Sequence, residues 1–162
     1  MLETDGAITP NLIVRGVVAG LLGGILIDAF LLLSHAAQFP ELFQFIASGV
    51  IGSVAYTSAG YVWFGLCLHF AISTVWGIFY ALAATAGHFV HRWILGAIGL
   101  GLFVAIVMQI VTALAHLGHV VPIPSRFAIS VLSHVVFFAL PIAWYVANGP
   151  PNAQGPLPHR TA

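Results

Sequence analysis

Asp28 and two histidines are the residues of this chain best suited to chemistry. Asp28 lies in an apolar run from about Ile13 to Leu33, and His69 and His134 lie in two later apolar runs. A carboxylate deep in a membrane helix costs about 2.5–3.5 kcal/mol on insertion scales, so it is retained where it faces a partner or a water-filled cavity. Imidazole and carboxylate can exchange protons or ligate metals. These residues predict a polar centre inside a membrane.

The composition excludes a water-soluble domain. Hydrophobic residues make up 60% of the 162 residues, charged residues make up 5%, and the mean hydropathy is +1.07. A soluble domain has about 25% charged residues, so the lipid bilayer is the expected surroundings. The net charge of zero offers no basic surface for nucleic acid. The single cysteine, Cys67, cannot form an intrachain disulfide.

Four apolar runs predict the helices that position these residues. Each run is close to the roughly 20 residues that a helix needs to cross the hydrocarbon core. Continuous apolar runs favour helices over strands, because a helix satisfies its own backbone hydrogen bonds. We predict an all-α, integral membrane four-helix bundle with up-down-up-down topology in one domain over residues 1–147. Its spans cover about residues 13–33, 61–84, 93–117 and 127–147.

A shorter segment separates the first two spans. Pro40 and Glu41 are a helix-start signal, and the apolar segment continues to Tyr56. A helix over about residues 41–56 is too short to cross upright, so it is expected to lie in the interface or to re-enter it. Residues 148–162 contain four prolines and are predicted to be a disordered tail.

The arginines predict the orientation. Four spans put Arg15, Arg92 and Arg160 on one side of the membrane and leave only Arg126 on the other. The positive-inside rule then favours both termini in the cytoplasm.

Depth and helical facing bring the polar residues together. A rise of 1.5 Å per residue puts Asp28 roughly 22 Å into its span, and His69 and His134 roughly 12 and 10 Å from their outer ends. All three therefore lie in the outer half of a core about 30 Å thick. Their helical stripes should avoid lipid and face one another. The predicted polar centre comprises Asp28, His69, Ser73, Gln109 and His134.

Small residues at close-packing spacing mark two of the spans. A glycine every fourth residue lets two membrane helices approach closely. The expected packing residues are Gly16, Gly20 and Gly24 on the first span and Gly96, Gly99 and Gly101 on the third.

Three short segments carry a resemblance. Residues 45–49 (Phe-Ile-Ala-Ser-Gly), the span with His69 and Ser73, and residues 133–135 (Ser-His-Val) resemble a family of small uncharacterised bacterial membrane proteins. More remotely, the chain is similar to YagU-type inner-membrane proteins over roughly residues 43–147. The resemblance implies an all-helical fold in the bacterial inner membrane and implicates His69 and His134. It brings no established activity or ligand.

Three classes of function fit these residues. The first is a structural or interaction protein whose polar centre fixes the helix register, with a homo-oligomer or other membrane subunits as partners. The second is a cofactor protein in which His69, His134 and Asp28 bind zinc, or the two histidines bind a b-type haem. The third is a proton-coupled transport component with Asp28 as relay, which would require a homodimer. No GxSxG or HExxH motif occurs, so the sequence gives no support for a hydrolase.

Overall fold

The computed structural model describes residues 10–115 and 124–149. About 90% of the structure is helical, and these two ranges contain no strand, which confirms the all-α prediction. The predicted end of the third span at residue 117, the side chain of Arg126 and the tail from residue 150 lie outside the described residues. The α-helices are α1 Pro10–Leu33, α2 Phe39–Ile51, α3 Gly60–Ala86, α4 Trp93–Ala115, α5 Pro124–Ser133 and α6 Leu140–Asn148.

Within the described residues, four helical stretches are long and apolar enough to cross a membrane. Many large apolar side chains on their outer surfaces stay exposed, among them Ile25, Val75 and Leu95. A soluble protein rarely leaves so much apolar surface uncovered, whereas hydrocarbon solvates it readily. The chain is therefore a multi-pass membrane protein, and its described part is all-helical. The four stretches are Asn11–Leu33, Gly60–Ala86, Val90–Val111 and Phe127–Asn148.

The short segment between the first two spans differs from the single helix predicted over residues 41–56. Helix α2 begins at Phe39, with Pro40 in its first turn, where a missing backbone N–H costs nothing. It ends at Ile51 because Gly52 adopts a φ of +68°, a left-handed value that interrupts the helix. A short 3-10 helix, Gly52–Tyr56, follows.

The fourth span is not one regular helix. A π-helical stretch, His134–Ala139, lies between α5 and α6, and the Leu140 N–H donates to the carbonyl of Val135, five residues back. Pro141 follows at once and has no N–H to donate to Phe137, so a regular helix would lack one bond here. The wider turn changes the direction of the side chains that follow His134. The hydropathy pattern did not predict it.

Two histidines end membrane helices in left-handed conformations. His35 follows α1 with a φ of 55°, and His88 follows α3 with a φ of 54°. Each allows a later backbone N–H to return to the last helical turn, as in the bond from Phe89 N to Ala84 O of 3.1 Å. Both residues are exposed. Their position therefore indicates a role in ending helices.

Helices α1 and α3 pack with their backbones in close contact. A Cβ atom on Gly16 would lie 2.6 Å from the Cα of Ile78, and one on Gly20 would overlap the carbonyl oxygen of Ser73. Gly77 of α3 faces the same backbone stretch of α1. No side chain fits between these helices at this level, so polar residues that they carry within the next few turns are also held close together.

The remaining predicted packing glycines also lie at close contacts, except Gly99, where a Cβ would meet no atom within 4 Å and the prediction is wrong. A Cβ on Gly24 would lie 2.9 Å from Ser73 Oγ, and one on Gly96 of α4 would overlap the hydroxyl of Tyr80. The buried core beside them is built largely from alanine and aliphatic side chains of α1, α3, α4 and the fourth span. Small residues therefore set the distances between the helices.

Candidate functional site

Asp28 and His69 form a pair between α1 and α3. The distance from His69 Nε2 to Asp28 Oδ1 is 3.1 Å, and the side chains are 18% and 10% exposed respectively. The pair lies about two helical turns beyond the Gly20–Gly77 contact, so the close approach of the two backbones brings the side chains within reach. When the pair holds one titratable proton on the imidazole, the two groups form an ion pair. When that proton is on the carboxyl group, both groups are neutral.

Three buried polar atoms of the pair have no hydrogen bond in the described part of the chain. These atoms are the two Asp28 carboxylate oxygens and His69 Nε2. All three are buried, and none takes part in a well-aligned hydrogen bond with a described residue. The 3.1 Å separation is therefore an electrostatic contact whose angles are unfavourable for a hydrogen bond. Buried polar groups are normally satisfied, and those that are not need an explanation in function or in strain.

His134 begins the π-helical stretch and has a fixed hydrogen on one ring nitrogen. Its Nδ1 lies 2.7 Å from the carbonyl oxygen of Ser130, and 3.5 Å from the Ser130 hydroxyl. A carbonyl oxygen only accepts, so Nδ1 carries the hydrogen and donates it. In the neutral ring the lone pair is then on Nε2. His134 is held by backbone and can accept a proton or a hydrogen bond at its other nitrogen.

One cavity of about 190 Å³ collects the polar residues. Asp28 and His69 line it together with Ser73 and Gln109, and His134 lines it from the fourth span. The structure thus brings together all the residues of the predicted polar centre. The sequence-based site did not include Ser130, whose signal is its place one helical turn before His134 on the same stripe.

Helix α2 closes one side of this cavity. Leu42, Phe45 and Ile46 contribute to the lining. The helix packs on the start of α3, where a Cβ on Gly65 would overlap the carbonyl oxygen of Phe43. Phe43 is 1% exposed, so this contact is part of the packed interior. The Pro40–Glu41 start signal predicts a helix here and its length predicts that it does not cross, but neither indicates that it covers the polar centre.

Arg15 has a structural role in addition to its charge. It is 6% exposed, and its Nε and Nη2 donate to the carbonyl oxygens of Tyr145 at 3.2 Å and Gly149 at 3.1 Å. These carbonyls lie at the end of α6, where a cation is favoured by the helix dipole. The arginine used to predict orientation therefore also joins the start of α1 to the end of the fourth span.

The residues of the cavity, as placed, fit neither of the two cofactors that the sequence suggests. Among the described residues, no three His, Cys, Asp or Glu side chains are placed so that they could hold one metal ion. Asp28, His69 and His134 line one cavity, yet as placed they are not a ligand set for zinc. A volume of about 190 Å³ is also below the roughly 300–1,000 Å³ of pockets that enclose larger ligands, so a porphyrin does not fit.

The fold and this site define a multi-pass membrane protein with a buried Asp–His pair in a small, mostly apolar cavity. No protein-family model matches the chain, and no curated protein or solved structure matches it. The resemblance to small bacterial membrane proteins therefore stays a prediction.

Proposed function

We propose that this chain is the proton-binding element of a small transport component, in which the Asp28–His69 pair takes up and releases a proton. One observation carries the proposal. His69 Nε2 and Asp28 Oδ1 are 3.1 Å apart in a cavity, and in the described part of the chain neither of these atoms nor Asp28 Oδ2 has a hydrogen-bond partner. Intramembrane ionisable groups in such surroundings commonly serve proton relays.

The alternative of a purely structural polar centre is less well supported. A side chain that fixes helix register does so through hydrogen bonds, and each buried group without one costs about 1–3 kcal/mol. Here the helix register is already determined by the glycine contacts of α1 with α3 and by the hydrogen bonds of Arg15. The Asp28–His69 pair adds no well-aligned hydrogen bond to them.

Asp28 and His69 share one titratable proton in this proposal. With the proton on His69, the site holds an imidazolium and a carboxylate; with the proton on Asp28, it holds two neutral groups. Both states have zero net charge, so moving the proton within the pair leaves no uncompensated charge in a region of low dielectric. The lone pair on His134 Nε2 is a further acceptor on the same cavity, from which a proton could continue.

The proposed setting is the bacterial inner membrane, with an up-down-up-down bundle and both termini in the cytoplasm. The two hydrogen bonds from Arg15 to the end of α6 support placing the start of the first span and the end of the fourth on one side. In this arrangement α2 lies at the opposite interface and covers the cavity. A homo-oligomer or other membrane subunits complete the transport path, because four spans in one chain are few for a transporter.

Infrared difference spectroscopy of the reconstituted protein during a pH titration tests the proposal. We expect a carboxylic acid C=O band that changes with pH, is absent in Asp28→Asn, and has a different midpoint pH in His69→Gln. Glu41→Gln, which removes an exposed carboxylate of α2, is the matched control and should leave that band in place. A spectrum in which Asp28→Asn removes no pH-dependent band would refute proton binding at this residue.

A further inference from the structure

The cavity beside Asp28 combines one carboxylate with mostly apolar walls. Ile27, Met108 and Phe138 are among the apolar lining residues. The Asp28 side chain is 10% exposed, and both of its oxygens lack a hydrogen-bond partner in the described part of the chain. A ligand for this space needs a polar group that donates to a carboxylate, and a body that gains from leaving water.

We infer that this cavity binds a small organic ammonium ion with an apolar body, whose N–H groups donate to Asp28. The inference rests on the proposed function, because the ligand and the proton compete for the same carboxylate. An ammonium group supplies both the positive charge and the donors that the two Asp28 oxygens lack. Trp76, Phe45 and Phe138 line the same space, and aromatic rings attract ammonium groups.

The size of the cavity limits the ligand. An apolar cavity of about 150 Å³ is sufficient for benzene, and this one is about 190 Å³. One aromatic or aliphatic ring with a short aminomethyl group is therefore near the upper limit. Quaternary ammonium ions with several large substituents are excluded by volume. Polyamines are disfavoured because the described lining offers one carboxylate for their several charges. An uncharged ring of the same size would fit the walls but leave Asp28 unpaired.

Charge balance makes the binding an exchange. When R–NH₃⁺ binds to the Asp28 carboxylate, the pair releases one proton to solvent, so the net charge of the cavity is the same before and after. The titratable groups that face Asp28 are His69 of α3 and His134 of the fourth span. The cavity lining that the structure describes includes no ionisable side chain from α2 or α4. Protonation of the Asp28–His69 pair at lower pH therefore opposes ligand binding.

Calorimetric titration of the purified full-length protein in detergent tests the inference, with benzylammonium as the probe and benzyl alcohol as its uncharged counterpart. Repeating the titration in buffers of different ionisation enthalpy counts the protons released. We expect benzylammonium to bind with release of up to one proton, and benzyl alcohol to bind about 30-fold more weakly or worse, since it leaves the buried charge unpaired. Asp28→Asn should lose the preference for the cation, whereas Glu41→Gln should keep it.

Two outcomes would overturn the inference: equal affinity for benzylammonium and benzyl alcohol, or no binding of benzylammonium at all. Both comparisons use the unaltered protein, so they hold even if Asp28→Asn does not fold. The infrared titration described above is carried out without any amine. An infrared band assigned to Asp28 together with no binding of benzylammonium would therefore reject the ligand and keep the proton site. A spectrum of the unaltered protein with no pH-dependent band that Asp28→Asn removes would reject the proposed function itself.

Discussion

His69 Nε2 lies 3.1 Å from Asp28 Oδ1, although the two residues belong to different membrane helices. The contact depends on how closely α1 and α3 approach, and that distance is set by Gly20 and Gly77, which leave no room for a side chain. Glycine packing at one level of the bundle thus positions the ionisable groups at another. The packing glycines and the polar centre, separate features in the sequence, are parts of one arrangement.

The glycine contact predicts a strong effect from adding a single methyl group. Gly20→Ala should lower the free energy of unfolding by about 1–3 kcal/mol, because its Cβ would overlap the Ser73 carbonyl oxygen and force the helices apart. Gly99→Ala is the matched control: a Cβ at Gly99 meets no atom within 4 Å, and alanine favours a helix by up to about 1 kcal/mol. Denaturant unfolding in mixed micelles measures both. Equal effects at the two positions would contradict the packing described here.

Arg15 should contribute to stability through its two hydrogen bonds. Arg15→Ala is expected to cost about 1.5–3 kcal/mol, the range for hydrogen bonds to a charged group. Arg15→Lys should recover only part of this, because the ammonium group lacks the fork that reaches both Tyr145 and Gly149. Arg92→Ala, at an exposed arginine, should change stability by no more than about 0.5 kcal/mol. Thermal unfolding in detergent measures the stability of the three variants. Full recovery of stability in Arg15→Lys would contradict the prediction and show that charge alone matters.

The hydrogen bond of His134 predicts its tautomer. Nitrogen-15 NMR of the protein, at a pH where this imidazole is neutral, should show hydrogen on Nδ1 and none on Nε2, because Nδ1 donates to a backbone carbonyl. Ser130→Ala keeps that carbonyl and should leave the tautomer unchanged. A signal from hydrogen on Nε2 would mean that the free lone pair proposed to face the cavity does not exist.

The topology can be tested by labelling single cysteines in a Cys67→Ala background. Gln38→Cys and Ala59→Cys flank α2 and its 3-10 helix at exposed positions, and both should react with an impermeant reagent from the same side of the membrane. His88→Cys, also exposed, should react from the other side. Labelling of positions 38 and 59 from opposite sides would mean that the intervening segment crosses the membrane.

The sequence predicted the broad features because they depend on hydrophobicity, which is read directly from residue type. Four apolar helices follow from run length, and shared depth and helical facing were enough to group Asp28 with His69 and Gln109. The π-helical stretch at His134 depends on a local competition around Pro141, and hydropathy is insensitive to it. Phe45 and its neighbours on α2 cover the cavity because of how α2 packs against the other helices. The residue pattern of one helix does not indicate which helices it contacts.

The most direct test of the central claim, that Asp28 and His69 form one coupled site, is a double-mutant cycle. The free energy of unfolding is measured for the unaltered protein, Asp28→Asn, His69→Gln and the double variant. Removal of either partner leaves the other buried without its counter-charge, so we predict that the double variant loses less than the sum of the single losses, by about 0.5–3 kcal/mol. The control cycle pairs Asp28→Asn with His91→Gln, an exposed histidine, and should be additive. Additive losses for Asp28 and His69 would contradict a shared site and leave the two residues as independent polar groups.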